Sequence, residues 1–314
     1  MKYIFLDEFV WIDIRRSALK ENGAKDLSKV IQLIEIKSNN GEWIFPISVE
    51  HLVETANTSD QVKRLTTAYI MDEISKGYTI LEFSKLKDFE IGKMLAGQYA
   101  PDFRAEVIKK DIMNMWGHST HELIDEVCQK NGMSISEDLQ EIVQIILNES
   151  HSICRSMITP KYISDEEKKM YGEILDYLKK QDCKDPYVSE EQFLMYTLEQ
   201  YYSEDQQYVI LEYINKELGT YENPRGETLK KLFYRLPTYY TNCMLLYKNM
   251  KMQNVGQSAS KNDFRDMLYL SYMIPYCDIV ITEKKWTNII QQMHLDKIFN
   301  TIVVSDVNRL LNIE

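Results

Sequence analysis

The chain has 314 residues, 44% hydrophobic and 27% charged, the balance of a folded protein with an ample core in one large domain or two ordinary ones. Its 37 basic against 48 acidic residues give a formal charge of -11, which excludes a general nucleic-acid coat protein but not a nuclease whose carboxylates hold metal. With only 11 Gly and 7 Pro it is not collagen-like or of low complexity, and Cys128, Cys154, Cys183, Cys243 and Cys277 are spaced neither as a disulfide framework nor as a zinc ribbon.

The first segment, KYIFLDEFVWIDI, is rich in aromatic and β-branched residues and predicts a buried strand that breaks near Asp7. Two acids so soon after a four-residue apolar run are unlike a signal peptide, and no apolar stretch approaches the roughly 20 residues of a membrane span. Together with unpaired thiols, this reads as a cytoplasmic protein with no membrane partner. Leu27, Val30, Ile31, Leu33, Ile34 and Ile36 predict a helix opened by Asp26 and stopped by Asn39, Asn40 and Gly41. WIFPIS predicts a second strand, with Ser48 placed to cap a helix carrying VEHLVETAN. A helix over 59–76 ends at Gly77, ahead of a third strand in YTILEF. Strands alternating with helices in this way predict a parallel sheet covered by helices.

Residues 84–256 have a different texture. Leu, Ile, Met and Tyr recur there at three- and four-residue spacings, which predicts an all-α insertion that docks on the sheet without adding a strand. After the linker-like QNVGQSASKND come a helix over 262–274, the strand CDIVIT, a helix from 285, the strand TIVVS and a short last helix. The expected organisation is an α/β domain in two parts, 1–83 and 257–314, separated by a helical insertion over 84–256.

Several signatures are missing. Gly92 to Gly97 has the spacing of a phosphate-binding loop, but Gln98 and Tyr99 stand where Lys and a hydroxyl are needed. There is no Gly-X-Gly of a dinucleotide fold and no Gly-X-Ser-X-Gly elbow. His118 and His121, three apart beside Glu122, lack two further ligands and read as a hydrogen-bonded turn rather than a metal site.

The informative residues are acids. Asp7 follows four apolar strand residues, so it ends the first strand, where open α/β sheets place their active sites. Glu54 lies six residues after Ser48 in the helix behind the second strand, with Glu50 as its competitor one turn earlier. Asp266 is in the first turn of the helix preceding CDIVIT, with Asp263 competing, and Glu283 follows Thr282 at the end of that strand. Acids so placed suit one or two Mg²⁺ or Mn²⁺ ions, which can activate a water, neutralise a phosphoryl group and stabilise a leaving alkoxide.

These positions resemble the PIN-domain nucleases. The matching residues are Asp7 in FLDEFV, Ser48 and Glu54 in SVEHLVE, and Asp266 sixteen residues ahead of Thr282, with Glu283 directly after it. YMIPYCDIVITEKKW is also similar to PIN-like families in which Pro-Tyr-Cys-Asp precedes the last active-site strand. The resemblance covers about 1–83 and 257–314. It implies a PIN-like parallel sheet flanked by helices and a metal-dependent nuclease that hydrolyses phosphodiester bonds, in RNA ahead of DNA. It makes Asp7, Glu54, Asp266 and Glu283 the catalytic Mg²⁺- or Mn²⁺-binding acids, with Asp263 as a second-line ligand. It departs from the family at Glu283, where Asp is usual, and at Phe9, where a small or polar residue is common. A toxin or defence role is compatible with that activity. The alternative is a PIN-like module, weak or inactive in catalysis, that binds protein or nucleic acid through its helical insertion.

Charge suggests where a substrate could lie. Residues 225–253 hold six bases and the single acid Glu227, interleaved with Phe233, Tyr234, Tyr239, Tyr240 and Tyr247. Lys230, Lys231, Arg235, Tyr239 and Tyr240 are therefore candidates for binding a single strand, the backbone on cations and bases on rings. An amphipathic helix pair with snorkelling lysines accounts for the same composition. The insertion is also the candidate surface for a protein partner or a second copy of the chain.

Overall fold

A computed structural model describes residues 1–98, 103–117, 119–130, 136, 153–154, 189–218, 227–253 and 261–313. Its strands are β1 (Lys2–Leu6), β2 (Trp43–Ile44), β3 (Tyr78–Ile80), β4 (Ile108–Lys110), β5 (Ile279–Ile281) and β6 (Ile302–Val304). The helices up to residue 130 are α1 (Glu8–Ala18), α2 (Ser28–Asn39), α3 (Val49–Ala56), α4 (Gln61–Ser75), α5 (Phe83–Leu95), α6 (Arg104–Val107) and α7 (Thr120–Lys130). Beyond residue 189 they are α8 (Glu190–Tyr201), α9 (Glu204–Leu218), α10 (Glu227–Phe233), α11 (Pro237–Gln253), α12 (Lys261–Tyr276), α13 (Lys284–Gln292) and α14 (Leu295–Ile298).

Alternation along β1 builds the two sides of the sheet. Tyr3 and Phe5 enter one buried cluster while Ile4 and Leu6 enter another, the period-two pattern of a strand covered on both faces. β5 repeats it, with Val280 on the first side and Ile279 and Ile281 on the second. The four-stranded sheet has the order β2-β1-β5-β6, and every pairing is parallel. This is an α/β fold whose central strands come from the two ends of the chain, as the sequence predicts.

Three elements differ from expectation. Residues 8–18 form a helix, not recognised in the sequence, that buries Val10, Trp11, Ile14 and Arg15 on one face. The second strand is only two residues long, because Pro46 has no N–H for the ladder. The chain rejoins β-structure at Ile47, whose N–H reaches Tyr78 O at 3.0 Å and whose carbonyl receives Ile80 N at 3.1 Å. β3 therefore leaves the four-stranded sheet and pairs antiparallel with β4, inside the segment expected to be all helix. That segment contributes β4 to this two-stranded sheet, so its all-α character is corrected, while among the described residues it adds no strand to the four-stranded sheet. Ile108 is buried while Lys109 and Lys110 are exposed, a pattern too short to read in the sequence.

The insertion helices share a core with the sheet. Phe193, Leu194, Phe233, Tyr239 and Leu245 belong to the same buried cluster as Tyr3, Phe5, Val280 and Val303. Glu90 of α5, fully buried, accepts Thr238 N at 3.0 Å and the Tyr276 hydroxyl at 2.7 Å, tying the start of α11 to the end of α12. Asp278 accepts Tyr3 N at 2.7 Å and pairs with Arg104, fixing the entrance of β5. Among the described residues, no helix is long and apolar enough to cross a membrane. Cys128, Cys154, Cys243 and Cys277 are free thiols, while Cys183 and His118 lie outside the described residues.

Candidate functional site

Strand order locates the crevice. The chain steps outward from β1 to β2 on one side and from β5 to β6 on the other, so the order reverses between β1 and β5. Open parallel sheets bind ligands beyond the carboxyl ends of the strands at such a reversal. Asp7 and Glu283 are the residues that leave the central pair there. Asp7 N donates to Ile281 O at 3.0 Å, and Thr282 N to Val304 O at 3.0 Å.

Asp7 is held by two hydroxyls. Its Oδ2 accepts from Thr282 Oγ1 at 2.8 Å and from the Tyr269 hydroxyl at 2.8 Å. Tyr269 stands one helical turn beyond Asp266 on α12, and its oxygen also lies 3.3 Å from Asp266 Oδ1. Two acids from opposite ends of the chain are thus separated by a single hydroxyl. The other oxygen of Asp266 accepts the Trp286 indole N–H at 2.8 Å.

Glu54 reaches the group from α3. Ser48 and His51 form a reciprocal capping box at the start of that helix, in which Ser48 N donates to His51 Nδ1 at 3.1 Å. With Nδ1 accepting, Nε2 carries the proton and donates to Leu6 O at 2.8 Å. The Trp11 indole N–H, 3.3 Å from the same Nε2, is then a contact rather than a hydrogen bond. Burial pushes the His51 pKa down to about 4, so the ring is neutral and staples α3 to the carbonyl just before Asp7. Glu54 Oε1 accepts from Arg265 Nη1 at 3.3 Å. Its competitor Glu50 is buried and bonded to the Tyr272 hydroxyl.

Glu283 is exposed at the N-cap of α13, with no capping bond from its side chain. The helix dipole favours an anion at that place. Asp263, the second-line acid, is paired with Lys285.

The acids act on one another electrically. Burial, then the nearby Glu54 and Glu283 charges, raise Asp7 to about 6 against the pull of its two hydroxyl donors. Burial raises Asp266 to about 7, with Asp7 and Glu283 adding to it and Trp286 opposing. Burial also raises Glu54, with Asp266 and Glu50 adding to the effect and Arg265 opposing it. The sequence reading did not single out Glu8, which burial and Glu54 raise to about 8. Its Oε1 accepts from Thr55 Oγ1 at 3.2 Å, and its Oε2 is buried without a partner. The helix over 8–18 was the missing signal, since only that helix turns Glu8 toward α3. Tyr269, Trp286 and Arg265 were also missed; Tyr269, three residues after Asp266, has the one spacing that could have flagged it.

Whether these residues suit a hard cation is a question of donors and spacing. The donors are carboxylate oxygens, the type Mg²⁺ and Mn²⁺ prefer. Among the described residues nothing hydrogen-bonds Asp7 Oδ1, and Glu8, whose pKa the Asp7 charge helps to raise, has its Oε2 buried without a partner. The donor set fits. As the side chains stand, however, no three His, Cys, Asp or Glu among the described residues are gathered closely enough to hold an ion.

The proposed single-strand track is corrected. Tyr239 and Tyr240 are buried, Tyr239 against Tyr201, Tyr202 and Phe233, so neither ring offers a face to a base. Lys230 is paired with Glu190 and Glu191, and the Arg235 guanidinium lies over the Tyr213 ring at 5.8 Å. Lys231 is exposed. The tyrosine spacing recorded a helix core, which gives the same composition as a stacking platform. His121 pairs with Asp125 at 3.3 Å, consistent with a local helix contact.

Comparison with protein-family models, curated proteins and solved structures gave no match for this chain.

Proposed function

We propose that the chain is a metal-dependent nuclease of PIN-like type, hydrolysing phosphodiester bonds in RNA ahead of DNA. The observation that carries this reading is the hydroxyl of Tyr269 shared by Asp7 and Asp266, at the carboxyl end of the two central strands. Mutually repelling, half-desolvated carboxylates cost the fold stability, and a divalent cation is the ligand that offsets the cost.

Asp7, Glu54, Asp266 and Glu283 would hold Mg²⁺ or Mn²⁺, which when bound neutralises phosphoryl charge and lowers the pKa of a water. The chain's own residues prepare that arrangement. Thr282 and Tyr269 fix the Asp7 carboxylate with Oδ1 left unbonded, and Trp286 fixes Asp266. Of the four acids Glu283 alone is exposed, so it would be the ligand open to solvent. Ser48 and Thr282 serve as cap and orienting hydroxyl rather than as reactive groups.

One observation favours the second reading, a module weak or inactive in catalysis: the acids are not gathered to ion-holding distance. Cleavage of end-labelled RNA and DNA with Mg²⁺ or Mn²⁺ separates the two. The nuclease reading expects cleavage by the wild type that is lost with EDTA and lost by at least about a hundredfold in Asp7→Asn, as for removal of a group acting on the transition state. Cleavage that survives both treatments contradicts the metal-dependent mechanism, and none in the wild type gives the lead to the module.

A further inference from the structure

Arg265 is the cation that, among the described residues, forms an ion pair with one of the four candidate ligands. Lys285 is committed to Asp263 and lies over the Trp286 ring at 4.8 Å. The Arg265–Glu54 contact joins a partly exposed guanidinium to a more buried carboxylate, the side chains 35% and 19% exposed, and is long for an ion pair at 3.3 Å. A pair of that exposure is worth little, so the guanidinium can leave at small cost. Its planar fork is also the side chain best matched to a phosphate.

This gives a physical reason for the ungathered acids. Arg265 bonds only Oε1 of Glu54, but a divalent ion at that carboxylate would draw on the same negative charge and repel the guanidinium, weakening the pair. We propose that Arg265 has two positions: without metal it is the counter-cation of Glu54, and once the carboxylates bind a divalent ion it contacts a non-bridging oxygen of the substrate phosphodiester. The inference rests on the nuclease reading and adds a substrate-binding residue to it. The Arg265 side chain already reaches Glu54 and is partly exposed, so it lies beside the acids with access to solvent. No proton or bond changes hands in the switch, which exchanges one ion pair for another.

The test uses the full chain as wild type, Arg265→Ala and Arg265→Lys, with circular dichroism confirming the fold. Mn²⁺ affinity is measured by calorimetry, and KM and kcat are measured on whichever labelled nucleic acid the wild type cleaves. Arg265→Ala should bind Mn²⁺ about two- to fivefold more tightly, the range set by losing a partly exposed ion pair. Its KM should rise more than its kcat falls. Arg265→Lys, which keeps the charge without the fork, should return Mn²⁺ affinity to the wild-type value and recover part of the KM. An Mn²⁺ affinity in Arg265→Ala equal to or weaker than wild type, or an unchanged KM, overturns the proposal while leaving the nuclease reading standing. Absence of Mn²⁺ binding in all three proteins removes both.

Discussion

Asp7 and Asp266 owe their placement to neutral donors: two hydroxyls and an indole. The acids themselves were legible because strand ends and a six-residue spacing are properties of the chain. The donors were not, because the azimuth of Tyr269 and Trp286 on their helices is set by packing across the sheet. Tyr269 has one proton to share between two acceptors, and it is buried. Removing its hydroxyl in Tyr269→Phe leaves two facing carboxyls with one donor fewer. Urea unfolding in EDTA should show a loss of about 1.5–3 kcal/mol, the usual worth of a hydrogen bond to a charged group. An unchanged midpoint would mean that the hydroxyl does not bridge the acids in solution.

At the scale of elements, the strands were readable where an unbroken aromatic or β-branched run marks them and unreadable where that run is interrupted. β1, β5 and β6 stand out as such runs, whereas Pro46 cuts β2 to two residues and β4 is masked by two exposed lysines. The helices α10 and α11 illustrate the opposite error. Aromatics interleaved with bases suggested a nucleic-acid surface, yet the tyrosines face inward and at least one lysine is spent on acids of α8. Tyr240→Ala should therefore act on stability, by roughly 3–5 kcal/mol as for other large aromatic truncations in cores. Thermal melting checks it. A variant of wild-type stability that binds single-stranded RNA less well would restore the surface reading.

Across the whole molecule, the buried acids make stability depend on pH. Asp7, Asp266, Glu90 and Glu8 are raised, chiefly by burial, to about 6, 7, 7 and 8 from ordinary values of 3.8 or 4.5. A raised carboxyl binds its proton more tightly in the folded chain, so its contribution is full below the unfolded value and is lost as pH rises through the folded one. His51 works in the other sense, because its pKa falls from 6.5 to about 4 and its contribution is lost as pH drops through that window. Above pH 6.5 His51 adds no further change, and the raised acids dominate. In EDTA, Tm should fall as pH rises from 6.5 to about 8.5, and saturating Mn²⁺ should recover part of the loss by taking the place of protons at Asp7 and Asp266. A Tm that is flat or rises over this range would show that these carboxyls are already solvated.

The proposed nuclease requires that acids brought together from both ends of the chain hold a divalent cation. Anomalous diffraction from a crystal grown with Mn²⁺ addresses it directly. The expected result is an anomalous peak contacted by Asp7 and by at least one of Asp266, Glu54 and Glu283, with Glu54 no longer paired to Arg265 if it is among the ligands. An occupied Mn²⁺ site elsewhere with the Tyr269 bridge and the Arg265–Glu54 pair intact, or no peak at millimolar Mn²⁺, would contradict it.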